Sequence, residues 1–298
     1  MSDQFIKTIT KNKYFRAYAL DGTNFVREAA TAHNTSRLAS IVLGRGLLAT
    51  TLTAQSVLKG EERLAIQING RGPIGNIVVE ADAKGSVRGY VTNSQIEPVF
   101  DEQGQLDVAE AVGKNGFLQV TKFAPYSNPY IGQSQLVSGE IGDDFTYYLA
   151  QSEQIPSVVG VSVYMNTDDT VESAGGFLIQ ALPDATDAAI DELETAIKGL
   201  KPLSDMLVDG YTPLEILEDV FGKGEVEILQ VAGVGLAAEP SKDDYRDMLT
   251  TLPATEVQAM IDEDDGAEVV GKFSGKRYFF TSQELRDVIL EINAKNAE

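Results

Sequence analysis

A chain of 298 residues, 43% of them apolar, with a net charge of −21, is long enough to bury a globular core and too acidic to attract phosphate backbones or anionic bilayer surfaces. It has no cysteine and one histidine, His33. That excludes disulfides, thiol catalysis, thiolate metal sites and a histidine-rich zinc or iron site. The opening residues "MSDQFIKTITKNKYFRAYALDG" lack a secretory pattern, and no apolar run is long enough to span a bilayer. The expectation is a cytoplasmic protein with no nucleic-acid or membrane partner.

In "YFRAYALDGTNFVREAA", Asp21-Gly22 is the expected hairpin turn between two short strands. "NTSRLASIVLGRGLLATTLTAQSVLKG" follows. Leu38, Ile41, Val42, Leu48, Leu52 and Val57 recur at helical spacing, with Thr35 or Ser36 placed to cap the helix and Gly60 to end it. Its many small residues predict close packing against another element, and Arg37 and Arg45 argue against a membrane helix. From 62 to 178 the period becomes two. "RLAIQING", "GNIVVEAD", "SVRGYVTN", "FLQVTKF", "SQLVSGEI" and "VGVSVYMN" read as strands, with turns at Asn69-Gly70, Lys84-Gly85 and Lys114-Asn115-Gly116. "FTYYLAQSEQIPS" reads as a helix that ends before Pro156.

After Pro183 the pattern turns helical, in "DATDAAIDELETAIKGL" and "LSDMLVDGYTPLEILEDVFG". Residues 184–228 hold 12 Asp/Glu against 3 Lys/Arg, which is −9 of the −21. Their apolar stripe (Ile190, Leu193, Ile197, Leu200, Leu207, Leu214, Ile216, Leu217, Val220) must cover something. It either docks on the sheet region or detaches to bind partners. Residues 229–238, "LQVAGVGLAA", read as a joint. The last 60 residues read as a small helical unit around the hairpin "VVGKFSGKRYFF", which turns at Ser274-Gly275-Lys276. Ser241 with Asp244, Thr255 with Gln258, and Thr281 with Glu284 have capping-box spacing. The expected core there is Tyr245, Met248, Leu249, Leu252, Val257, Met260, Ile261, Val269, Phe273, Tyr278, Phe280, Leu285, Ile289 and Ile292.

The fold class is therefore α+β in three spans: a sheet-rich core domain with packed helices (1–178), an acidic helical linker (179–230) and a small α+β C-terminal domain (231–298). "GRGPIG" at 70–75 matches a dinucleotide pattern, but a strand follows it and Pro73 removes an amide, so it reads as a strand connection. His33 reads as a surface or capping residue. Asp143-Asp144 and Asp262 to Asp265 read as solvated loops, and Ser152, Glu153 and Gln154 as local capping. No set supplies a nucleophile, a base and an orienting group, so the residues point away from an enzyme and no cofactor is expected.

Three blocks together, "TSRLASIVLGRGLLATTLTAQSVLKG", "GRGPIGNIVVEADAKGSVRGYV" and "YYLAQSEQIPSVVGVSV", resemble the N-terminal signatures of the 33-kilodalton heat-shock chaperones, redox-regulated holdases of bacteria. "TTLPATEVQAMIDEDDGAEVVGKFSGKRYFFTSQEL" is similar to that family's C-terminal switch domain. The resemblance covers essentially the whole chain. It implies ATP-independent binding of unfolding client proteins through apolar surface, often by a homodimer. It also implies a C-x-C and a C-x-x-C pair whose thiolates hold zinc. Here those positions fall on Ala238, Pro240, Gly271 and Ser274, so neither a thiolate metal site nor a thiol switch is available. The expected client contacts are Ile190, Leu193, Ile197, Leu207, Leu214 and Leu217 of the acidic stripe. The alternative reading is a binding protein dedicated to one partner, with client holding lost.

Overall fold

Strands β1 (Gln4–Thr10) and β2 (Phe15–Asp21) pair antiparallel across a turn at residues 11–14, so Asp21-Gly22 is not the hairpin turn. Asn12 makes that turn: its side-chain oxygen accepts from the Tyr14 amide (3.0 Å) and the Thr10 hydroxyl (2.6 Å). Asp21 instead starts helix α1 (Thr23–Ala32), accepting from the Thr23 amide and hydroxyl. The computed structural model describes residues 3–295, and the chain forms two compact units, Met1–Ala237 and Ala238–Glu298.

Helix α2 (Arg37–Val57) is buried almost all round. Its small residues allow this. A Cβ on Gly44 would stand 2.6 Å from Val26, and one on Gly46 would stand 3.1 Å from Ile77. Ser36 occupies the N-cap, but its hydroxyl donates to the Ile96 carbonyl instead of accepting from the helix. Leu58 ends the helix, ahead of the expected Gly60.

Beside α2 lies a six-stranded sheet of β3 (Arg63–Asn69), β4 (Ile77–Asp82), β5 (Ser86–Val91), β6 (Phe117–Phe123), β7 (Tyr130–Gln135) and, from later in the chain, β11 (Gly235–Leu236); its order is β11-β5-β4-β3-β6-β7. Helix α3 (Val108–Val112) is capped by Asp107. The "GRGPIG" connection presses on the end of α3: the Gly72 amide donates to the Val112 carbonyl (2.9 Å) and the Ile74 amide to Ala111 (3.1 Å). A Cβ on Gly70 would lie 1.9 Å from the Gly113 carbonyl oxygen. These amides are already bonded to backbone, which leaves none of them for a phosphate.

"SQLVSGEI" is a strand only as far as Gln135. Beyond it, the Val137 and Ser138 amides that a ladder would need donate to Asp144 Oδ1 at 2.7 and 3.2 Å. Asp143 and Asp144 are accordingly not loop residues. They form the first turn of helix α4 (Ile141–Gln151), where Asp144 is buried. Asp262 to Asp264 likewise lie in a helix, leaving Asp265 as its left-handed cap.

The second sheet is formed by β8 (Ser157–Met165), β9 (Val171–Ala181) and β10 (Val226–Gly233) with the first two strands, in the order β10-β1-β2-β9-β8. The expected boundary at 178 falls inside β9. This strand is buried on both faces, so its residues 174–179, "AGGFLI", carry no polar residue and show no alternation. Most of the expected joint at 229–238 is strand, β10 pairing with β1 and β11 with β5, and the division between the two units falls at its end, after Ala237. Helices α5 (Asp187–Lys198), α6 (Leu203–Val208) and α7 (Pro213–Phe221) belong to this unit as well. The larger unit is thus layered: six-stranded sheet, α2 with α1 and α4, five-stranded sheet, then α5–α7.

The smaller unit holds α8 (Lys242–Leu249), α9 (Ala254–Asp264), the hairpin β12 (Gly266–Val270) and β13 (Arg277–Thr281), and α10 (Ser282–Lys295). Ser241 with Asp244 and Thr281 with Glu284 make both bonds of a capping box, whereas α9 starts after Pro253, so Thr255 caps nothing. Its core centres on Leu249, Val257, Ile261, Tyr278, Phe280, Leu285, Val288 and Ile292. Met248 is exposed instead of buried, and Val288 takes a place the sequence reading left empty.

Candidate functional site

The apolar stripe of the acidic span lies against one face of the five-stranded sheet. Strand alternation sets that face: Phe15, Ala17 and Ala19 of β2 point to the stripe, while Tyr18 and Leu20 point to α2. Ile6, Phe177 and Ile179 complete the platform. Of the expected client contacts, Leu207 and Leu217 are buried in this cluster; Ile190, Leu193, Ile197 and Leu214 are partly buried against it. All six therefore share one apolar layer, and in this state the layer is docked.

The three helices are held unequally. Thr212 and Glu215 form a capping box at α7, Pro213 starts it, and Pro213, Ile216, Leu217 and Val220 are buried. Helix α6 buries Met206 and Leu207. Helix α5, capped by Thr186, buries only Ala189. Beneath it runs a cleft of 420 Å³ whose lining includes Phe15, Val158, Ile179, Ile190, Leu193 and Ile197. A second uncovered apolar strip lies on edge strand β10, where Ile228, Leu229 and Val231 are exposed.

The sheet half of this layer is only weakly marked in the sequence. Phe177 and Ile179 carried no period-two signal because both faces of β9 are apolar. Phe15, Ala17 and Ala19 were visible only as alternation in "FRAYALD".

Glu153 accepts a 2.9 Å hydrogen bond from the Tyr148 hydroxyl. Burial first, and the Glu153 carboxylate second, push that hydroxyl well above its usual range. Burial also raises the Asp144 carboxyl, against the amides that donate to it. His33 forms the C-cap of α1. Among the described residues no group of three or more His, Asp or Glu side chains is placed to hold a metal ion, and no helix is long and apolar enough to cross a membrane.

Comparison with known proteins agrees with this architecture. The family described as Hsp33 protein matches residues 3–281. The 33 kDa chaperonin of Lactiplantibacillus plantarum is 47% identical over 289 residues, covering 97% of this chain and 98% of that protein. That of Levilactobacillus brevis is 45% identical over 295 residues, covering 99% and 100%. A crystal structure of the 33 kDa chaperonin from Thermotoga maritima superposes with a TM-score of 0.87 at 33% identity, covering 97% of this chain and 98% of that one. The chain belongs to the Hsp33 family.

Proposed function

We propose that this protein is an ATP-independent holdase that captures unfolding proteins on the apolar layer between α5–α7 and the five-stranded sheet, without thiol control. The observation that carries the reading is the shallow seat of α5. This helix has a full apolar stripe, a single buried residue and an apolar cleft beneath it. Lifting α5 uncovers Ile190, Leu193 and Ile197 together with Phe15, Val158 and Ile179, a contiguous surface of the kind that binds exposed apolar segments. The absence of sulfhydryls removes disulfide formation as the trigger, which leaves local opening under heat stress to release the helix. The relatives' name, 33 kDa chaperonin, supports a chaperone role.

The test is suppression of aggregation of a heat-unfolded client by the full chain, with reductant and with peroxide. Equal suppression under both is expected. Leu193→Asp, on a half-covered position, is expected to weaken capture while the protein stays folded by circular dichroism. No suppression in either condition, with a single stoichiometric partner recovered from cells, would replace the holdase by a dedicated binding protein.

A further inference from the structure

We propose that the hairpin of the smaller unit is fastened by a metal-free clasp, built at the place where the family resemblance implies four zinc-bound thiolates. The residues present do not fit that metal. Ala238, Pro240 and Gly271 offer no side-chain donor, and Ser274 offers one neutral hydroxyl. A side chain at Gly271 would also have to push neighbouring side-chain ends aside. A Cβ on Gly271 would stand 2.7 Å from the Tyr245 hydroxyl and 2.8 Å from the Ser274 hydroxyl.

The same groups close the gap themselves. The Tyr278 hydroxyl donates to the Pro240 carbonyl at 2.7 Å, a part-buried bond on a side chain that is 9% exposed. The Ser274 hydroxyl donates to the Glu239 carboxylate. The Tyr245 and Tyr278 rings pack with centroids 4.9 Å apart, and the Lys276 ammonium lies 5.1 Å over the Tyr278 ring. Residues 239–240 are thereby tied to 274–278 across sequence separations of 35 and 38. These are the two segments that a metal would otherwise join. A clasp of this chemistry ignores chelators and oxidants. The clasp adds hydrogen bonds and ring contacts to the packing of Tyr278 and Phe280 in the small core, and its loss loosens the hairpin locally, below global unfolding.

Hydrogen exchange of residues 266–281 in the full-length protein tests this, with zinc content measured by native mass spectrometry. The expected result is no stoichiometric zinc and exchange unaltered by EDTA or peroxide. Tyr278→Phe and Ser274→Ala should each exchange about fivefold faster there, the scale of one lost hydrogen bond. Gly271→Ala should act in the same direction by displacing Tyr245 and Ser274, while residues 63–91 stay protected. One zinc per chain, exchange accelerated by EDTA, or wild-type exchange in both Tyr278→Phe and Ser274→Ala would overturn the proposal. Because the readout is exchange, a chain that fails to hold clients but keeps the clasp counts against the holdase reading alone.

Discussion

Helices α5 and α7 lie over the same face of one sheet, yet α7 buries four residues and α5 one. Both are acidic and amphipathic. The difference lies in what each meets. Helix α7 packs over β2, with Phe221 5.7 Å from Phe15, and its N-terminus is fixed by a capping box and a proline. Helix α5 spans an incompletely filled cleft. An apolar stripe thus decides which side of a helix turns inward, while the relief of the surface beneath decides how firmly it is held.

The strongest way to break this contrast is a pair of truncations. Leu217→Ala in α7 should cost about 3 kcal/mol of global stability, because it leaves a cavity in a fully buried site. Leu193→Ala in α5 should cost under about 1 kcal/mol, since that side chain already borders open space. Urea denaturation reads both, and equal losses would mean that α5 is seated as deeply as α7. A smaller effect comes from the caps. Thr212→Ala should cost about 1 kcal/mol in the same assay. Thr186→Ala should show chiefly as faster hydrogen exchange over residues 187–198, with little change in the urea midpoint. A global shift as large as that of Thr212→Ala would show that α5 unfolds only with the whole unit.

The smallest expected effects concern pH and have opposite signs. Burial raises the folded-state value of Asp144, so its contribution is fully present below the ordinary carboxylate range and is lost as pH rises through the raised value. Glu215 is held low by the Thr212 amide and hydroxyl, and Asp244 by the Ser241 hydroxyl and amide. Their contributions are present above the ordinary range and are lost as pH falls through the depressed values. Asp144→Asn should therefore flatten the decline of stability as pH rises out of the carboxylate range. Glu215→Gln and Asp244→Asn should flatten the decline on acidification. Urea midpoints followed across that range check both signs.

Much of this was legible because local chemistry decides it. Ser241-Asp244 and Thr281-Glu284 form the capping boxes their spacing announces, and "VVGKFSGKRYFF" forms its hairpin, with a turn that spans residues 271–276 and not Ser274-Gly275-Lys276 alone. Thr255 failed as a cap because Pro253 already preceded a helical residue. "SQLVSGEI" is not a strand beyond Gln135 because Asp144, in the first turn of the next helix, binds its Val137 and Ser138 amides. The candidate layer was half legible: its helical side has period 3.6, whereas β9 is apolar on both faces and shows no period.

By itself, the sequence determined the longer helices, the alternating strands of residues 63–123, the acidity and the absence of thiol chemistry, since each follows from residue identity and short-range spacing. Only the tertiary structure decided that residues 184–237 belong to the larger unit, that α5 is the loosely held helix, and that Tyr278 closes on Pro240. Those outcomes depend on which surfaces meet, and contacts between residues far apart in the chain leave no periodic trace in it.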